Sequence, residues 1–253
     1  MSESQESIYP ISSEVLDAES LVQAILTAKE TLYWSREWDP SFYIRLAELG
    51  FITTAIDYEA PDAGDEPLVS VPLLIPEIQE AYAVLDWENR HIGRTLRRWM
   101  QSSACTSKNY NLIVGCNLST VVEGIRKCHQ PCWLIEEYEH LLEALLKDSI
   151  HRDFELIPVG LEASGYGIVA GEIGYRIGRT YTSLTGFLNR ENHTHNHAGK
   201  LQMHLLAEHL EAQGIAFWNL GHPGMRYKLD LGARVLPRKT FLQRWQKAVK
   251  DEL

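Results

Sequence analysis

The chain has 253 residues, 45% of them hydrophobic and 23% charged, with a formal net charge of −10. This composition is that of a folded globular protein of one or two domains, not of a low-complexity or disordered chain. No run approaches the ~18 apolar residues a membrane span needs, and four cysteines are too few for a disulfide scaffold in a chain this long.

The start, residues 1–9, is polar and acidic, the pattern of neither a secretory signal nor an Arg-rich transit peptide. A cytoplasmic protein without a membrane partner is therefore expected. The negative charge is unevenly spread. Residues 1–90 hold 4 Lys/Arg against 18 Asp/Glu, whereas residues 91–253 hold 20 against 16. Within 226–250, eight basic residues face Asp230 alone. A dipolar molecule of this kind either carries solvated charge or presents one face to a phosphate backbone.

The first twelve residues read as loose, and 20–30 as a helix with Leu21, Ala24, Ile25 and Ala28 on one face. Asp39 is a good N-cap, Pro40 suits the first helical position and Gly50 the stop, which boxes in a helix of about ten residues. The stretch DYEAPDAGDEP (57–67) reads as an acidic loop and 68–76 as extended. Strands are expected at 82–87 and 110–115. Between them a helix over 93–101 carries Arg94, Arg97 and Arg98 on one stripe. Asn117 caps a helix to about Cys128, and a second helix covers 134–147. Strands follow at 154–161 and 166–178, with a third to about Leu184. A helix over 196–213, a short strand at 215–220 and a basic helix over 237–249 close the chain. Strands and helices alternate, so the class is α+β or α/β. The acidic loop and the extended segment after it place a domain boundary near residue 82, giving domains 1–82 and 83–253.

Six blocks carry a further signal. They are DPSFYIRLAELGF (39–51), AVLDWENRHIGRTLRRW (83–99), VVEGIRKC…CWLIEEYEHLLEAL (121–145), IVAGEIGYRIGRTY (168–181), AGKLQMHLLAEHLEAQG (198–214) and LGARVLPRKTFLQRW (231–245). In this order they resemble the leucyl/phenylalanyl-tRNA–protein transferase family across roughly 39–245. The resemblance implies a small N-terminal domain and a larger N-acetyltransferase-like (GNAT-type) domain, with a central mixed sheet flanked by helices. It also implies an activity: Leu, Phe or Met moves from aminoacyl-tRNA to the N-terminal residue of an acceptor protein, tagging it for degradation. An amine attacks an activated ester, so no metal or cofactor is expected, and a monomer is expected to suffice.

The chain departs from the family pattern where chemistry is concentrated. The family keeps a carboxylate and a Gln on the strand before the Leu-Gly-Ala block; here Asn219 and Gly221 stand there. Asn219 hydrogen-bonds but is no base near neutral pH. Where the family has a Glu that contacts the substrate amine, Thr185 or Leu184 stands in this chain. Glu172 occupies an apolar position of the central hairpin, as a new site carboxylate or a solvent-facing one. His222 follows the Asn219 strand, and an imidazole is a residue type that can serve as a general base. The candidate catalytic residues are thus Asn219, Glu172 and His222. Trp133, Thr185, Phe187 and Gly221 are candidate substrate contacts, and Arg94, Arg97, Arg98, Lys200, Arg238 and Lys239 candidate tRNA contacts. The altered polar groups leave two alternatives open: a non-catalytic binder of aminoacyl-tRNA or of N-termini, and an acyltransferase with another donor. Against the latter, no glycine-rich phosphate turn leads into a helix. HTHNH (193–197) lies before a helix cap and reads as a polar loop, and Cys128 with Cys132 lacks the second half of a zinc site.

Overall fold

The computed structural model describes residues 8–60, 69–147, 153–190 and 195–251. In chain order the elements are β1 (Tyr9–Pro10), α1 (Ser13–Asp17), α2 (Glu19–Thr27), β2 (Tyr33–Trp34), α3 (Pro40–Glu48), β3 (Ile52–Ala60), β4 (Val69–Glu77), β5 (Ala81–Leu85), α4 (Arg94–Met100), α5 (Ser103–Thr106) and β6 (Asn111–Val114). They continue with α6 (Leu118–Cys128), α7 (Glu136–Lys147), β7 (Phe154–Ala163), β8 (Gly167–Ile177), β9 (Thr180–Leu188), α8 (Ala198–Ala212), β10 (Phe217–Asn219), α9 (Arg226–Asp230), β11 (Arg234–Pro237) and α10 (Arg238–Ala248). They form two compact units. One runs to Glu80 and includes Trp133–Leu145; the other comprises Ala81–Cys132 and Leu146–Leu253.

In the first unit, α3 starts where the Asp39 carboxylate accepts the Phe42 N–H at 3.1 Å and stops at Gly50, whose φ of 94° no side chain favours. Buried Tyr138 of α7 organises the core. Its hydroxyl donates to the Thr53 carbonyl at 2.7 Å and lies 3.0 Å from that of Tyr43. The rings of Trp38, Tyr43 and Trp133 meet it edge-on. Two expectations are corrected here. Residues 57–60 are not loop: they pair from Asp57↔Pro72 to Ala60↔Val69 in the β3–β4 hairpin, because Asp57 and Glu59 alternate with Ile56 and Tyr58 at the strand period. Residues 61–67 lie outside the described part. Tyr9–Pro10 pairs in parallel with β2 and Ile11 is buried, so this segment is anchored rather than loose.

The second unit holds a seven-stranded sheet in the order β11-β5-β10-β9-β8-β7-β6. Only β9 and β10 pair in parallel; every other neighbour is antiparallel. This is a mixed α+β architecture. Leu206, Ala207 and Leu210 of α8 pack on Ile157, Val159, Tyr181 and Trp218 of one sheet face. On the other, α6 approaches so closely that Gly124 lies against the Phe187 ring, which also covers Gly171. Asn117 caps α6 by accepting the Thr120 N–H at 3.3 Å. In α10, Phe241 stacks on Tyr82 at 3.8 Å between ring centroids, and Arg244 pairs with Asp86 while lying over Phe217.

Candidate functional site

Glu172 sits mid-strand in β8, paired with Val159 and Gly186. Only 6% of its surface is exposed, so it does not face solvent. Its Oε1 accepts from the Tyr181 hydroxyl at 2.9 Å and the Ser183 hydroxyl at 2.7 Å. Gln202 of α8 directs its amide N–H at Oε2 over 3.4 Å. The Trp218 indole N–H donates to Ser183 Oγ at 2.9 Å. Alternation explains the meeting: Tyr181 and Ser183 are two apart on β9, and Trp218 is in register with Tyr181. A bulge between Ile173 and Gly174 brings Ser183 beside Gly174. Gly174 has no side chain, and the Tyr181 hydroxyl end lies directly against it. Burial raises the Glu172 carboxyl from 4.5 to about 7, against the pull of the Ser183 and Tyr181 hydrogen bonds. Burial raises Tyr181 well above its ordinary value, and the Glu172 charge adds to this. Tyr227 of α9, 42% exposed, is raised by burial and also feels the Glu172 charge.

The other candidate residues lie elsewhere. Asn219 is buried, donating to Thr182 Oγ1 at 3.3 Å and accepting the Gly221 N–H at 3.0 Å. As the neighbour of Trp218 on β10 it points to the opposite face of the sheet from Glu172. Gly221, at a φ of 72°, turns the chain and accepts from the Ala83 N–H. His222 is exposed, and its Nδ1 accepts the Gly224 N–H at 3.0 Å. The three candidate catalytic side chains therefore do not converge. Thr185 pairs with Ile173 and Phe187 with Gly171. The Phe187 ring is packing against Gly171 and Gly124, on the α6 side. Trp133 lies in the first unit, against Tyr138. Arg94, Arg97 and Arg98 are exposed on α4, as are Lys200 on α8 and Lys239 on α10, while Arg238 is half-buried.

Four members of the Glu172 cluster, Tyr181, Ser183, Gln202 and Trp218, were not among the candidates. Two signals pointed to them: Gln202 interrupts an apolar helix face, and Ser183 shares the strand period of Tyr181. Buried Lys228 was missed too. Its ammonium donates to the His222 carbonyl at 2.7 Å, and burial lowers it to about 8. A cavity of about 670 Å³ with an apolar floor of Val114, Ile157, Leu206, Leu210 and Ile215 shares only Tyr181 with the Glu172 cluster. Among the described residues no group of three or more His, Cys, Asp or Glu is placed to hold a metal; His193 lies outside them. Nor is any described helix long and apolar enough to cross a membrane.

A mixed α+β unit with one titratable carboxyl buried at the centre of its sheet is the frame of this protein. The chain belongs to the leucyl/phenylalanyl-tRNA protein transferase family, whose model matches residues 84–246. No curated protein matches the chain by sequence. Among solved structures, the C-terminal DUF2156 domain of a candidate lysylphosphatidylglycerol synthetase from Agrobacterium fabrum is similar at 12% identity and a TM-score of 0.36, over 89% of this chain and 61% of that one. L-PGS from Bacillus licheniformis is similar at 13% identity and a TM-score of 0.36, over 81% and 57%. A conserved protein from Enterococcus faecalis V583, described as a probable N-acyltransferase, is similar at 11% identity and a TM-score of 0.37, over 86% and 46%. The chain thus spans about six-tenths of the length of the first two.

Proposed function

We propose that the protein moves an amino acid from aminoacyl-tRNA to the N-terminal residue of an acceptor protein, as a cytoplasmic N-degron-tagging enzyme whose larger unit is a GNAT-type transferase domain. In this reading Glu172 is the proton acceptor, a new carboxylate on the sheet face opposite Asn219. The acceptor's α-amine nitrogen attacks the ester carbonyl carbon and forms the new amide C–N bond. The bond to the ribose oxygen breaks, and the amine proton passes through Glu172 to that leaving oxygen. The observation that carries the reading is a carboxyl buried in the central hairpin and held by the Tyr181 and Ser183 hydroxyls; burial raises it to about 7, which suits a base at neutral pH.

A second reading, a non-catalytic binder of aminoacyl-tRNA, is favoured by Asn219. Its neutral amide is committed at both ends to Thr182 and Gly221 and takes no proton. The test supplies tRNA charged with each labelled amino acid in turn and acceptors beginning with Arg, Lys, Asp or Glu. Label transfer is expected, falling about 10²–10⁴-fold in Glu172→Gln with tRNA binding unchanged. Salt-dependent binding without transfer supports the second reading; neither binding nor transfer overturns both.

A further inference from the structure

An indole N–H only donates, and a serine hydroxyl has a single proton. Because Trp218 Nε1–H points at Ser183 Oγ over 2.9 Å, the Ser183 oxygen is the acceptor of that bond. Its own proton is then directed along the 2.7 Å contact to Glu172 Oε1. Tyr181 donates to the same oxygen at 2.9 Å. Oε1 thus carries two donors, while Oε2 faces only the Gln202 amide at 3.4 Å. All four partners are buried or half-buried, so water does not readily substitute for a lost donor.

We infer that Trp218 is a positioning residue for Glu172: by locking the Ser183 hydroxyl onto Oε1 it holds the carboxylate ready and leaves Oε2 as the oxygen that takes the proton. Protonation at Oε2 places a new O–H against the Gln202 N–H, so proton uptake requires the Gln202 amide to turn its oxygen inward. The groups facing Glu172 are Tyr181 and Ser183 from β9, Gln202 from α8 and Trp218 through Ser183 from β10; Tyr227 of α9 feels its charge without a recorded contact, and no side chain charged at neutral pH contacts it among the described residues. The role rests on the proposed proton transfer, but the arrangement itself is measurable without tRNA.

The experiment follows the side-chain carboxyl carbon of ¹³C-glutamate-labelled protein through a pH titration, with the Glu172 signal assigned by its loss in Glu172→Gln. Ser183→Ala is expected to raise the midpoint by about one pH unit, since a hydrogen bond to the charged form is lost. Trp218→Phe frees the hydroxyl to rotate and raises the midpoint in the same direction by less, while Ser183→Thr keeps the donor and stays near wild type. In the unmodified protein the Trp218 indole N–H signal titrates with the Glu172 midpoint, a readout that does not depend on a variant folding. An indole signal indifferent to Glu172 ionisation, or an unshifted midpoint in either Ser183→Ala or a folded Trp218→Phe, overturns the inference. Shifted midpoints in a protein that transfers no label leave this inference standing and sink the proposed catalysis.

Discussion

At the scale of the residue, Glu172 carries a pH dependence of its own. Its carboxyl is raised on folding from 4.5 to about 7, so between these values the native state binds more protons than the unfolded chain. The sign follows from linkage: the contribution is fully present below about 4.5 and is lost as pH rises through about 7. The loss amounts to at most about 3 kcal/mol. Glu172→Gln removes the titration, so the stability of wild type relative to this variant is expected to fall between pH 5 and pH 8. Urea unfolding of both proteins at the two pH values checks this; a constant difference would place the carboxyl in a far more polar setting. Catalysis runs the opposite way. The ionised form is the base, so transfer is expected to rise with pH to a plateau above about 7, read from the initial rate against pH.

At the scale of the element, the contact of α6 with β8 and β9 is set by glycines. Gly124 and Gly171 give the Phe187 ring its place, and an added methyl at Gly124 drives into that ring. Gly124→Ala is expected to cost about 1–3 kcal/mol, with part of the loss recovered by Phe187→Leu in a double-mutant cycle. Additive losses in the cycle would show that helix and ring do not press on each other. In α3 the Asp39 cap was legible in the sequence because capping is local, the partner being three residues away. Asp39→Ala is expected to cost about 1 kcal/mol, measured by chemical unfolding. The β3 strand was hidden for the converse reason. Asp57 and Glu59 gave an acidic loop composition, and only pairing with β4 showed that they alternate with Ile56 and Tyr58 on an exposed ladder.

At the scale of the whole molecule, the charge asymmetry puts exposed cations on the larger unit, on α4, α8 and α10. If Arg94, Arg97 and Arg98 each meet a phosphate, the triple change to alanine lowers the log–log salt slope of tRNA binding by about 2–3. Filter binding across a salt series measures this, and an unchanged slope removes α4 from the interface. The carboxyl at the sheet centre is untouched by that change. Single-turnover transfer at saturating protein is therefore expected to stay near wild type while affinity falls.

The sequence alone determined the family, most element positions and the basic stripe, because short motif blocks, caps and 3.6- and 2-residue periods are local signals. It also singled out Glu172 as a charged residue in an apolar position. Only the tertiary structure decided what surrounds it. Tyr181, Ser183, Gln202 and Trp218 come from two strands and a helix and lie up to 46 residues from Glu172 in the chain, and a β-bulge sets which of them face the carboxyl. The same alternation turned Asn219, one residue from Trp218, to the other side of the sheet. Proximity in sequence gave no sign of that separation, because neighbouring residues on a strand point to opposite faces.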